Sequence, residues 1–192
     1  MLTIFILLAL GIGFYTGYRR GLIMQAVRLI GYIITFVIAI NFYEPLSEIV
    51  ELFIPFPAVQ PNSNLALYNE AQSFLLDQVF YRAITFVLIW IIGGLLTNFI
   101  AIFFTRLSYY DFFKYINYIG GGIINLLITY AVIFMFLFIL SLIPIEFIQQ
   151  QFVDNPFAFW MVDRTPFLSD FANEAWFNVN PLGYISPWLF NL

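Results

Sequence analysis

GFYTGYRRGLIMQAVR, residues 13–28, separates two apolar runs with three arginines, a glutamine and glycines at 13, 17 and 21. Such a stretch can end one membrane helix, join two, or form a polar site inside a bilayer. Arg19 and Arg20 followed by Gly21 read as a tight turn joining two spans. Gly13, Gly17 and Gly21 form two overlapping G-x-x-x-G steps, a pattern that lets helix backbones approach closely. Only Arg28 falls inside the second apolar run, seven residues past Gly21 and so about 10 Å along a helix axis.

The composition points to a bilayer. Of 192 residues, 62% are hydrophobic and 21% aromatic, and only 9% are charged. A soluble domain carries about 25% charged residues. A net charge of −4, with no basic run longer than two residues, removes the electrostatic basis for nucleic-acid binding. The absence of cysteine excludes disulfides, thiolate metal sites and cysteine nucleophiles. Histidine, the commonest general base and metal ligand, is absent too. No carboxylate lies within an apolar span, and the sole lysine is Lys114. No catalytic, cofactor or metal site is therefore expected.

A membrane-crossing helix needs about 20 apolar residues, and about 17 at the short limit. Four segments qualify: residues 2–18, 21–42, 83–104 and 119–143. The first reads as a retained span, because its basic residues follow the apolar core and no A-x-A cleavage pattern comes after it. Five of the seven basic residues, Arg19, Arg20, Arg28, Arg106 and Lys114, fall on one side of the four-span arrangement. Cytoplasmic loops are enriched in Lys and Arg, so that side is expected to be cytoplasmic and both termini extracytoplasmic. The loop 44–78 and the tail 144–192 then lie outside.

Both outer segments carry amphipathic pieces. EPLSEIVELF, residues 44–53, places Leu46, Ile49, Val50 and Phe53 on one helical face, opposite Ser47, Glu48 and Glu51. PFPAVQPNSN then breaks any helix, and Asn64 or a neighbour can cap a second one. In the tail, Thr165 and Pro166 have the chemistry of an N-cap and first helical residue. The helix they would start sets Phe167, Leu168, Phe171, Ala175 and Trp176 against Ser169, Asp170, Asn173 and Glu174. Such faces suit helices lying in the membrane–water boundary, or a docking surface for an extracytoplasmic partner.

Polar and small residues converge in the arginine-side halves of the spans. Span two carries Gln25, Arg28 and Thr35 at helical steps, and span four carries Asn117, Gly121, Asn125 and Thr129 at every fourth position. Span three adds Gly93, Gly94, Thr97 and Asn98. This set reads either as a tightly packed helix core, with hydrogen bonds across the contacts, or as a polar vestibule or ion path. Arg28 has no intramembrane carboxylate to pair with; its candidate partners are lipid phosphate, Asp111, or groups of the polar cluster.

GYRRGLIMQAVRLIGYIITFVIAINFYEPLSEIV, residues 17–50, resembles the N-terminal signature of the CvpA (colicin V production) family: a short first span, a G-x-x-[KR]-G turn and a second span opening on a polar turn. YINYIGGGIINLLITYAVI resembles the family's glycine-bearing entry to the last span, and DRTPFLSDFANEAW its following Ser/Thr-Pro segment. The Pro-containing loop and aromatic tail look most like members from Gram-positive bacteria. The resemblance implies a multi-pass bacterial plasma-membrane protein contributing to toxin production or export. Some relatives carry a fused trypsin-like protease, which a chain without histidine is not expected to match. One departure is Tyr118, where a basic residue is expected after Asn117.

The combined expectation is a single all-α membrane domain with four spans and interfacial outer helices. It would be a non-enzymatic scaffold or accessory protein, embedded in lipid and partnered by copies of itself or by another membrane or extracytoplasmic protein. The alternative is a small oligomeric channel or transporter using Gln25, Arg28, Asn98, Asn117, Gly121 and Asn125.

Overall fold

The computed structural model describes residues 2–57, 65–68, 70–73, 75–104 and 114–177, and their regular structure is entirely helical. Four long helices dominate: α1 (Leu2–Arg20), α2 (Leu22–Glu51), α4 (Leu76–Phe103) and α5 (Lys114–Leu142). One turn, α3 (Glu70–Ser73), precedes α4. After α5 come α6 (Glu146–Asp154), α7 (Pro156–Arg164), α8 (Leu168–Ala172) and a π-helical turn, Asn173–Phe177.

The four long helices are apolar and long enough to cross a membrane. A helix meets this role because it satisfies its own backbone hydrogen bonds, which lipid cannot do. Their outward faces are lined by large apolar side chains such as Phe5, Ile12, Ile34, Leu95, Phe99 and Leu127. In water such surfaces would drive aggregation; against lipid tails they are at no disadvantage. The protein is a multi-pass helical membrane protein.

Three helices outrun the spans read from hydropathy. Helix α2 continues through Pro45 to Glu51, so EPLSEIVELF mostly extends span two instead of forming a separate piece. Pro45 costs that helix one ladder hydrogen bond without ending it. Helix α4 begins at Leu76, and α5 at Lys114, each ahead of its apolar run. Hydropathy marks the lipid-soluble part of a helix and not its ends.

Contacts divide the chain into two compact units, Met1–Asn41 with Phe86–Met135, and Phe42–Thr85 with Phe136–Leu192. In the second unit, Gln149 settles the end of α5. Its Nε2 donates to the carbonyls of Ser141 (2.9 Å) and Ile143 (2.8 Å), which have no intrahelical partner at a helix C-terminus. Its Oε1 accepts from the Ala66 N–H (2.8 Å). Ser141 Oγ lies 2.9 Å from the Tyr68 hydroxyl. Burial pushes the Tyr68 phenol well above its ordinary range.

The π-helical turn is fastened in the same way. Tyr43 donates its hydroxyl to the Ala175 carbonyl (2.8 Å), and Arg82 Nη1 donates to the Trp176 carbonyl (3.0 Å). Glu44 sits 3.7 Å from Arg82. Trp176, only 1% exposed, packs on Phe138 (4.8 Å between ring centres) and Phe171 (5.9 Å).

The tail departs from its amphipathic reading in one instructive way. Thr165 does not open a helix; it closes α7, its Oγ1 donating to the Met161 carbonyl (2.6 Å). The next helix starts at Leu168 after Phe167, held at φ 69. Ser169, expected on the polar outer face, is buried, accepting from Thr165 N–H (3.0 Å) and donating to the Val162 carbonyl (2.7 Å). A Thr-Pro pair fits either end of a turn, and here the freed carbonyls of α7 hold both hydroxyls. Phe167, assigned to the apolar face with Trp176, is exposed.

Candidate functional site

Gly21 makes the first turn possible. It has φ +80, a left-handed conformation that a side chain disfavours, and it alone separates α1 from α2. Its N–H bonds the Gly17 carbonyl (3.0 Å), ending α1, and its carbonyl accepts from Gln25 N–H (3.1 Å), starting α2. The first free donor of α2, Leu22 N–H, is taken by Asn117 Oδ1 at 2.8 Å. The cap of α2 thus comes from α5, 95 residues away.

From that turn, α1 and α5 run antiparallel in close contact. A Cβ on Gly13 would overlap the Thr129 side chain, and one on Gly17 the Gly121 carbonyl and Asn125 Cβ. A Cβ on Gly121 would overlap the Gly17 and Gly21 backbones. The glycine ladder 13–17–21 therefore faces the ladder 129–125–121–117, rung against rung. Asn125 Nδ2 donates to the Gly13 carbonyl (2.6 Å), and Thr129 Oγ1 to the Asn125 carbonyl (2.7 Å).

A second seam joins α2 and α4. Gly31 faces Thr97 and Gly93 faces Thr35, a reciprocal pairing in which each glycine makes room for the other helix's threonine. Asn98 Nδ2 donates to the Tyr32 hydroxyl (3.1 Å) and to the Gly94 carbonyl (2.8 Å). Tyr32 in turn packs against Trp90, 5.9 Å between ring centres.

The residues proposed from the sequence as one cluster thus divide. Gly13, Gly17, Gly21, Asn117, Gly121 and Asn125 belong to the α1–α5 seam, and Asn98 bonds within the α2–α4 seam. Arg19 and Arg20 are exposed beside the turn. Gln25 and Arg28 join neither network. Gln25 is 0% exposed, yet among the described residues neither its Oε1 nor its Nε2 has a hydrogen-bond partner, and the same holds for Nε and Nη1 of Arg28. Arg28 is half-buried, with those two nitrogens sealed from solvent. A charge at such a depth costs about 2.5 kcal/mol or more unless it reaches water, headgroups or a partner. Arg106, Asp111 and Asn64 lie outside the described residues, as does the Lys114 side chain.

The chain's sequence matches the family model described as "Colicin V production protein" over residues 2–166. The chain belongs to the colicin V production protein family. A relative, the "uncharacterized transmembrane protein YshB" of Bacillus subtilis (strain 168), is 30% identical over 179 residues, which is 92% of this chain and 97% of YshB. No solved structure matches. The match of this colicin V production family member takes in both seams and the turn. It ends at Pro166, ahead of the π-helical turn that carries Trp176.

Several contact residues had no sequence signal. Tyr43, Arg82 and Gln149 each bond a backbone group, and Tyr68 the Ser141 hydroxyl, far away in the chain, and no short-range spacing announces such a pair. Among the described residues no group of His, Cys, Asp and Glu is placed to hold a metal ion.

Proposed function

We propose that this protein is a non-enzymatic membrane scaffold or accessory protein, serving toxin production or a related envelope process in the bacterial plasma membrane. One observation supports the reading most: the span asparagines able to line a path are spent on joining helices. Asn117 caps α2, Asn125 bonds the Gly13 carbonyl and Asn98 bonds Tyr32 and Gly94. Side chains committed to backbone groups within tight seams are poorly placed to replace an ion's water shell. In this reading the arginine side is cytoplasmic, both termini are extracytoplasmic, and the working surface is presented to copies of the chain or to another envelope protein.

In-cell photo-crosslinking tests it. Trp160 and Phe147 are exposed at 45% and 75%, whereas Trp176 is buried and unsuitable as a probe position. Probes replacing Trp160 and Phe147 are expected to capture a discrete self-complex or a single envelope protein. Adducts to lipid alone would overturn the scaffold reading. The channel alternative has one feature in its favour, the unpartnered buried atoms of Gln25, Arg28 and Trp90. It requires solute flux through reconstituted vesicles that Arg28→Gln abolishes.

A further inference from the structure

Among the described residues of the first unit, every charged side chain is basic. Its described residues include Arg19, Arg20 and Arg28 and no carboxylate. Arg28 lies on the face of α2 that also carries Gln25, one turn earlier, and helical side chains lean toward the helix N-terminus. The electrostatic neighbours of Arg28 are Arg20, beside Gly21, and Tyr32, one turn further along α2. Among the described residues, Arg28 Nε and Nη1 and both polar atoms of the fully buried Gln25 lack partners. Two features of the described residues thus call for one ligand: guanidinium donors beside a second arginine, and a buried amide, all without a partner.

We propose that Arg28, together with Arg20, binds a phosphate group at the Gly21 end of α2, with the Gln25 amide as a further donor. The group is the phosphate of an anionic lipid headgroup or a free phosphate; the chemistry is shared. A guanidinium presents planar N–H donors that match the oxygens of a phosphate, whereas a halide would use them one at a time. Arg28 enters the span from its arginine-bearing end, and basic pockets at such helix ends recruit anionic headgroups. Asn125 and Asn98, already bonded within their seams, take no part. This site stands whether or not the scaffold reading does.

Full-length protein in nanodiscs of phosphatidylcholine, with and without phosphatidylglycerol, supplies the test, read by mass spectrometry of retained lipid. Wild type is expected to retain phosphatidylglycerol preferentially. Arg28→Gln should weaken that retention about tenfold, the scale of losing one charged hydrogen-bonded contact. Arg164→Gln, at an exposed arginine beside Asp163, should leave it unchanged. If headgroup selectivity is absent but millimolar inorganic phosphate raises the Tm of wild type and not of Arg28→Gln, the ligand is free phosphate. Where Arg28→Gln does not fold, Arg28→Lys keeps the charge without the planar fork and should lower retention several-fold. Wild type that responds to neither probe overturns the site, and so does an Arg28 variant that retains phosphatidylglycerol as wild type does.

Discussion

The α1–α5 seam and the fastening of the π-helical turn solve the same problem with opposite materials. In the seam, glycines remove side chains until backbones touch, and Asn and Thr bond across the gap. Around the turn, large side chains fill the space: Trp176 packs on Phe138 and Phe171 while Tyr43 and Arg82 hold the last carbonyls. Between helices in lipid, apolar burial gains little, because tails are as apolar as leucine, so close packing decides. A large aromatic such as Trp176 gains instead from the many close contacts its ring makes when fully enclosed.

Substitutions can break this contrast from either side. The largest effect is expected for Trp176→Ala, which should destabilise the protein by about 3 to 5 kcal/mol as a fully buried aromatic is lost. Denaturant unfolding in detergent micelles measures it. Next comes Gly17→Ala, for which a Cβ meets the Gly121 carbonyl and Asn125 Cβ rather than a flexible side-chain end. Backbones must separate, costing about 2 kcal/mol in the same assay. A silent Gly17→Ala would mean the seam is looser than described.

Smaller effects sharpen the comparison. Asn117→Ala removes the cap of α2 supplied by α5 and should cost about 1 kcal/mol, with faster amide exchange at Leu22 as its local signature. Asn125→Ala, losing one bond across the membrane seam, should cost about 0.6 kcal/mol. Glycine packing thus outweighs the hydrogen bonds it permits. Phe167→Gly runs the other way: it relieves a left-handed residue that is 71% exposed, and a gain of about 0.5 kcal/mol in unfolding free energy is expected.

Legibility in the sequence followed the same divide. Four-residue spacings mark Gly13, Gly17 and Gly21, and likewise Asn117, Gly121, Asn125 and Thr129, because a helix brings such positions onto one face. Spacing names the faces but not the pairing, so Asn98 and Asn125 looked like one cluster although they bond in different seams. Helix ends were less legible, since α2 passes through Pro45 and Thr165 closes a helix it seemed to start. The contacts of Gln149, Tyr43 and Arg82 join residues whose partners no periodicity encodes. Arg28 stood out for the opposite reason: one charge in an apolar run is conspicuous, and among the described residues its Nε and Nη1 have no partner.

In the scaffold reading proposed above, the span asparagines join helices and do not conduct. Ion flux from sealed proteoliposomes, measured beside thermal unfolding for wild type, Asn117→Ala and Asn125→Ala, tests it most directly. The expected result is wild-type vesicles as tight as protein-free ones, with both variants lowering the Tm and leaving flux at that baseline. Selective flux through wild type, abolished by Asn125→Ala without loss of Tm, would contradict it.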